Sequence, residues 1–374
     1  MKKYLFVGMA LLLMSCQSKS TRTLSNLNPT KFVKNIDSIQ NQLYTLKNKN
    51  GMEVCVTNFG GRIVSIMVLD KNGKMRDVTL GFDNIDDYEN IPSDFGASIG
   101  RYANRINKGQ FKLDGKLIQL PTNNFGHCLH GGPKGWQYQM YSAKQTSKTC
   151  IELTRLSPDG DQNFPGKVIA KVIYTLTADN AIDIKYSATT DKPTIINMTQ
   201  HSYFNLNGNP SHLSTNNFLY INADYYTPID STFMPYGNIE TVKDTPMDFT
   251  TPKELGKDIN ANNQQIKNAN GYDHNWVLNT KGDITKLAAR LSSPETGITL
   301  SVYTTEPGIQ VYSSNFLDGS FKGKNGITYK QHASVCLETQ HYPNSPNIPE
   351  WPSTVLLPGD TYYSECIYKF GLSK

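Results

Sequence analysis

Lys167-Val168-Ile169-Ala170-Lys171-Val172-Ile173-Tyr174-Thr175-Leu176 and Ala181-Ile182-Asp183-Ile184-Lys185-Tyr186-Ser187-Ala188 set the architecture. Apolar and polar residues alternate through much of both runs, and Val, Ile, Thr and Tyr recur. This is the pattern of a strand with one buried face. The same pattern, or a short apolar run, returns at Arg62 to Leu69, Ile298 to Tyr303, Ile309 to Ser313 and Tyr362 to Phe370. Turn signals lie between such runs at Lys71-Asn72-Gly73, Leu113-Asp114-Gly115 and Pro158-Asp159-Gly160. Helical patterns are few. Asp83 to Tyr88 is one, and Pro252 to Ile259, with Thr251 as N-cap, is the other. Asn260 to Gly271, rich in Asn and Gln, reads as an exposed loop. Many strands without intervening helices predict an all-β fold, a large antiparallel β-sandwich. No repeat or composition break divides it, so one domain is expected.

The first residues stand apart. Lys2 and Lys3 precede an apolar run from Tyr4 to Met14, and Ser15 and Cys16 follow. This is a signal peptide, too short for a membrane span. Leu13-Met14-Ser15-Cys16 is similar to the bacterial lipoprotein signal, in which the cysteine is lipidated. The expected organisation is therefore a signal over residues 1–15, a tether over 16–35 and one domain over 36–374. The protein would be exported and held by lipid to a bacterial membrane, in the periplasm or at the cell surface.

Lys and Arg total 37 against 32 Asp and Glu, and two of those lysines lie in residues 1–15. So even a balance gives no reason to invoke a nucleic-acid partner, and none is expected. Besides Cys16, the cysteines are Cys55, Cys128, Cys150, Cys336 and Cys366. Their odd number and lack of CxxC spacing predict neither a disulfide framework nor a zinc site. One bridge remains open, with the pair undetermined.

Residues able to carry chemistry fall in five segments. They are Gly100-Arg101-Tyr102-Ala103-Asn104-Arg105-Ile106, Leu129-His130-Gly131-Gly132-Pro133-Lys134-Gly135-Trp136, Gln200-His201-Ser202-Tyr203-Phe204-Asn205-Leu206, Gly271-Tyr272-Asp273-His274-Asn275-Trp276 and Leu337-Glu338-Thr339-Gln340-His341-Tyr342-Pro343. Histidines and carboxylates flanked by aromatics suit a sugar, whose C–H faces stack on rings while amides and charges hold its hydroxyls.

Together with Asn58-Phe59-Gly60-Gly61, Leu80-Gly81-Phe82 and Asn344-Ser345-Pro346-Asn347, these segments resemble the galactose mutarotase (aldose 1-epimerase) family. The resemblance runs in order from about residue 42 to residue 370. It implies a twisted β-sandwich that interconverts the α and β anomers of free aldoses. It also implies that His201 is the general acid and Glu338 the general base. Asn104, Arg105, His130, Tyr203, Asp273 and, less distinctively, Gln310 would bind substrate. Gln200, Trp136, Trp276 and Asn344 depart from the family pattern, which bears on sugar preference.

The chemistry agrees with that division. Opening a hemiacetal requires a base for the C1 hydroxyl proton and an acid for the ring oxygen, each poised near neutral pH. No metal or cofactor is needed, although a peripheral calcium ion is compatible. A free monosaccharide is the expected partner, and a monomer the expected state. His127, His212, His332 and His341 read as structural, and His274 should point away from Asp273. Three rival readings differ in what they require. A glycoside hydrolase would pair Asp273 with Glu338. A sugar-binding lipoprotein would not need both His201 and Glu338. A sugar-phosphate epimerase would need a basic cluster beyond Arg101 and Arg105.

Overall fold

The computed structural model describes residues 22–373, so the predicted signal peptide and Cys16 lie outside the described residues. The expected strands form. Val168–Leu176 and Ala181–Thr190 pair antiparallel in a nine-stranded sheet that also contains Ile298–Thr304 and Tyr362–Leu372. Burial alternates along Val168–Leu176, as the sequence pattern requires.

A six-stranded sheet packs against it, in the order Tyr203–Phe204, Val335–Gln340, Gly308–Tyr312, Asp273–Val277, Tyr225–Thr227 and Glu240–Thr241. A four-stranded sheet contains Arg62–Leu69. One hydrophobic cluster joins all three. It takes Val172 and Ile184 from the large sheet, Val335, Leu337, Ile309, Val311 and Trp276 from the six-stranded one, and Ile63 and Ile66 from the third. Period two then puts Cys336, Glu338, Gln310, Tyr312, Asp273 and Asn275 on the other face of the six-stranded sheet. Loops cover that face, and the candidate site lies there.

Four expectations change. The tether assigned to residues 16–35 does not run free to its end, because Leu27 and Phe32 are buried in a second cluster with Phe59, Phe82 and Tyr88. Burying those two side chains docks the segment. Pro252–Ile259 is not a helix: Lys253–Glu254 pairs with Phe218 and Leu219 at the sheet edge, and only a single 3-10 turn, Leu255–Lys257, follows. A helix forms instead inside the Asn/Gln-rich stretch, at Gln264–Ala269. Asn263 caps it, Asn270 ends it in the left-handed region, and Ile266 and Ala269 are buried beneath it. The helix expected at Asp83–Tyr88 sits at Ile85–Asn90, shifted because the Asn84 side chain caps it by accepting the Asp87 N–H.

Candidate active site

Neighbouring strands bring the carboxylates together. Gln310 lies opposite Glu338, and Asp273 opposite Tyr312. His201 ends the strand Thr199–His201, which pairs with Ala97–Ile99, and its carbonyl accepts the Gly96 N–H at 2.9 Å. Gly96 has φ +65°, and a Cβ there would lie 1.9 Å from the Ile63 carbonyl oxygen. Only glycine fits.

The result is a cavity of about 310 Å³ lined by His201, Glu338, Asn104, Arg105, His130, Tyr203 and Asp273, all named above from sequence. The His201 Nε2 lies 3.4 Å from Glu338 Oε1. Glu338 is 1% exposed and its Oε2 has no hydrogen-bond partner among the described residues, nor has His201 Nδ1. Burial pushes the Glu338 carboxyl well above the usual range; Asp273 and Asp94 add to the rise, and Arg105 opposes it. Burial lowers the His201 imidazole, against the pull of Asp94 and Asp273. Tyr203 stacks on the ring at 5.0 Å, and His130 meets it edge-on at 5.2 Å.

The binding groups are mutually braced. Asp273 Oδ1 accepts from Gln310 Nε2 at 2.6 Å, and its Oδ2 lies 3.8 Å from Arg105 Nη1. Arg105 Nε donates to Asn124 Oδ1 at 3.0 Å, with the guanidinium 4.7 Å over the Phe233 ring. Asn104 and His130 both adopt left-handed backbone, at φ 64° and 51°. The Asn104 N–H donates to His130 Nδ1 at 3.1 Å, and the His130 N–H returns to the Asn104 carbonyl at 3.2 Å. Burial lowers His130 to about 3, so the ring is neutral. With Nδ1 accepting, its one proton sits on Nε2. His130, which lines the cavity, is thus a fixed donor. A metal-ligating histidine instead donates through its other nitrogen.

Several assignments shift. Gln310 is not among the residues that line the cavity; its Nε2 donates to Asp273, which does line it, and its Oε1 has no hydrogen-bond partner among the described residues. Trp136 and Trp276 belong to the main hydrophobic core and are not among the residues that line the cavity. The aromatic walls are Tyr203, Tyr312, Phe316 and Phe321. Gly131 serves backbone packing, since a Cβ there would lie 2.4 Å from the Gly100 carbonyl oxygen. His274 is fully buried and turned toward Tyr226 and Trp276, as strand alternation predicts. His127, His212, His332 and His341 each hold a structural partner. The five cysteines from Cys55 onward are unpaired. Asp94, Asn124 and Phe316 line the cavity without having been singled out. Their loops carry no motif that marks them; only Asp94, a carboxylate just before Phe95-Gly96, offered a chemical hint.

Known proteins are similar to this chain in sequence and in fold. The aldose 1-epimerase family profile matches residues 42–369. Human galactose mutarotase is 40% identical over 323 residues, covering 86% of this chain and 92% of its own. The aldose 1-epimerase of Escherichia coli (strain K12) is 38% identical over 331 residues, covering 88% and 95%. A crystal structure of an aldose epimerase homologue from C. elegans superposes with a TM-score of 0.83 at 34% identity, over 89% of this chain and all of that one. Galactose 1-epimerase from Lactobacillus acidophilus NCFM gives 0.81 at 28% identity, over 91% and 97%. With a profile match spanning most of its length and relatives this similar across nearly their whole chains, the protein belongs to the aldose 1-epimerase family.

Proposed function

We propose that the chain interconverts the α and β anomers of free aldoses, with Glu338 as base and His201 as acid. The observation that carries this is one buried carboxylate–imidazole pair, 3.4 Å apart, opening into a cavity whose other polar groups are already braced. Glu338 removes the C1 hydroxyl proton as His201 protonates the ring oxygen. The ring opens, rotation about C1–C2 presents the other carbonyl face, and reclosure reverses the transfers. Asn104, Arg105, His130 and Asp273 hold hydroxyls, and Tyr203 and Tyr312 cover the C–H faces. Side chains alone supply both proton transfers, so the reaction runs without metal or cofactor. Polarimetry on fresh α-glucose, α-galactose and α-xylose with protein lacking residues 1–16 tests this. Accelerated mutarotation without added metal is expected. Loss on chelation with recovery on metal addition overturns the cofactor-free chemistry.

The same reading includes export and a lipid anchor at Cys16, supported by Lys2-Lys3, the apolar run and Leu13-Met14-Ser15-Cys16. Cys16→Ser should release an active domain from membranes. Wild-type protein already soluble, with no lipid on its N-terminus, overturns the anchor.

A further inference from the structure

Asp94 takes no part in the chemistry described so far. It lies on the loop between the helix Ile85–Asn90 and the strand Ala97–Ile99. One ligand atom from each of Asp94, His130 and His201 falls within 4.8 Å of the other two. Its Oδ1 is buried and has no hydrogen-bond partner among the described residues. The backbone around it is pinned: Arg62 donates to the Phe95 carbonyl at 2.9 Å and to the Ser93 carbonyl at 3.0 Å, while the Phe95 ring is buried in the core. A carboxylate is therefore held beside the acid with one buried oxygen unspent, which is costly unless the charge serves a neighbour.

We propose that Asp94 is a positioning residue that keeps His201 in its protonated, acid-competent form. The proposal rests on the reading of His201 as the acid. Asp94, Asp273 and Glu338 are the anionic groups near the His201 ring, and Arg62 and Arg105 the cationic ones. His130 is neutral, and burial keeps Tyr203, Tyr312 and the Cys336 thiol protonated. Asp273 is already engaged by Gln310 and Arg105, and Glu338 is held neutral by burial over part of the pH range. Asp94 is the carboxylate least committed elsewhere. Burial drives His201 toward the neutral ring, and Asp94 is the foremost charge acting against it.

The test is Asp94→Asn, which keeps the shape and removes the charge, with Asp94→Glu as the conservative partner. The His201 ring is titrated by NMR in histidine-labelled protein, and kcat and KM for α-glucose are measured across pH. In Asp94→Asn the His201 titration and the alkaline limb of kcat/KM should both move to lower pH. Loss of rate should be several-fold greater on the alkaline side than on the acid side, with KM little changed. Asp94→Glu should restore much of the shift. An unmoved His201 titration in a folded Asp94→Asn protein overturns the proposal, as does a rise in KM uniform across pH, which would make Asp94 a hydroxyl-holding group. Should Asp94→Asn not fold, the Asp94→Ala titration decides by the same criterion. The NMR reading does not depend on catalysis. A His201→Asn variant with wild-type kcat would instead remove the acid assignment itself.

Discussion

Two histidine–glutamate pairs stand close together along one strand and its exit, and they behave differently. His341, just beyond the strand Val335–Gln340, places Nδ1 2.6 Å from Glu306 Oε2. Glu306 Oε1 in turn faces the Tyr362 hydroxyl at 3.5 Å, and the His341 backbone is tied in both directions to the Asn197 amide. The other pair, His201 and Glu338, is 3.4 Å apart and leaves Nδ1 and Oε2 without partners. The residue types are the same; what differs is satisfaction. A pair whose hydrogen bonds are complete braces the fold, and a buried pair left open toward a cavity is available to a substrate.

Breaking the open pair should have the largest effect. Glu338→Gln keeps shape but accepts no proton, and His201→Asn removes the titrating ring. Since acid–base groups contribute about 10²–10⁴-fold, each change should lower kcat by at least roughly a hundredfold. Near wild-type kcat in Glu338→Gln would move the base assignment to Asp273. Arg105→Ala should act less on rate and more on binding. It removes a charged hydrogen-bonding group worth about 1.5–3 kcal/mol, so KM should rise by about tenfold or more. An unchanged KM would take Arg105 out of the binding set. His341→Ala should leave kcat alone and instead lower stability by about 1–3 kcal/mol, because it strands the buried Glu306. Denaturant unfolding measures that loss, and a fall in kcat without one would erase the contrast between the pairs.

The pH profile sharpens the same contrast. Glu338 must be ionised, so activity is lost as pH falls through its raised pKa, which places the acid limb above the ordinary carboxylate range. His201 must be protonated, so activity is lost as pH rises through its lowered pKa, below the ordinary imidazole range. The limbs of kcat/KM should therefore form a narrow bell whose apparent values belong to the coupled pair. A broad plateau would mean that the two groups do not share the work.

Legibility in the sequence followed how much each side chain announces about itself. Val168–Leu176 was readable because alternation is imposed by burial on one face. His201, Glu338, Asp273 and Arg105 were readable because their segments carry chemistry in a recognisable order. Asp94, Asn124 and Phe316 were not, because loops recruit them and no periodicity records which loop folds over which sheet. Leu27 and Phe32 lie with Leu24 and Val33 in an otherwise polar stretch, without a strand or helix period to signal which of them dock. Ile266 and Ala269 are likewise the whole apolar face of the helix hidden among Asn and Gln.

The left-handed backbone at Asn104 and His130 carries a consequence for engineering. A non-glycine residue there costs roughly 1–2 kcal/mol, somewhat less for asparagine. Glycine would relieve that strain at both positions. It would also delete the Asn104 carboxamide and the neutral imidazole donor to which we assign the holding of sugar hydroxyls. A campaign that selects for thermal endurance alone is thereby pulled toward glycine at positions 104 and 130, and would trade turnover for melting temperature.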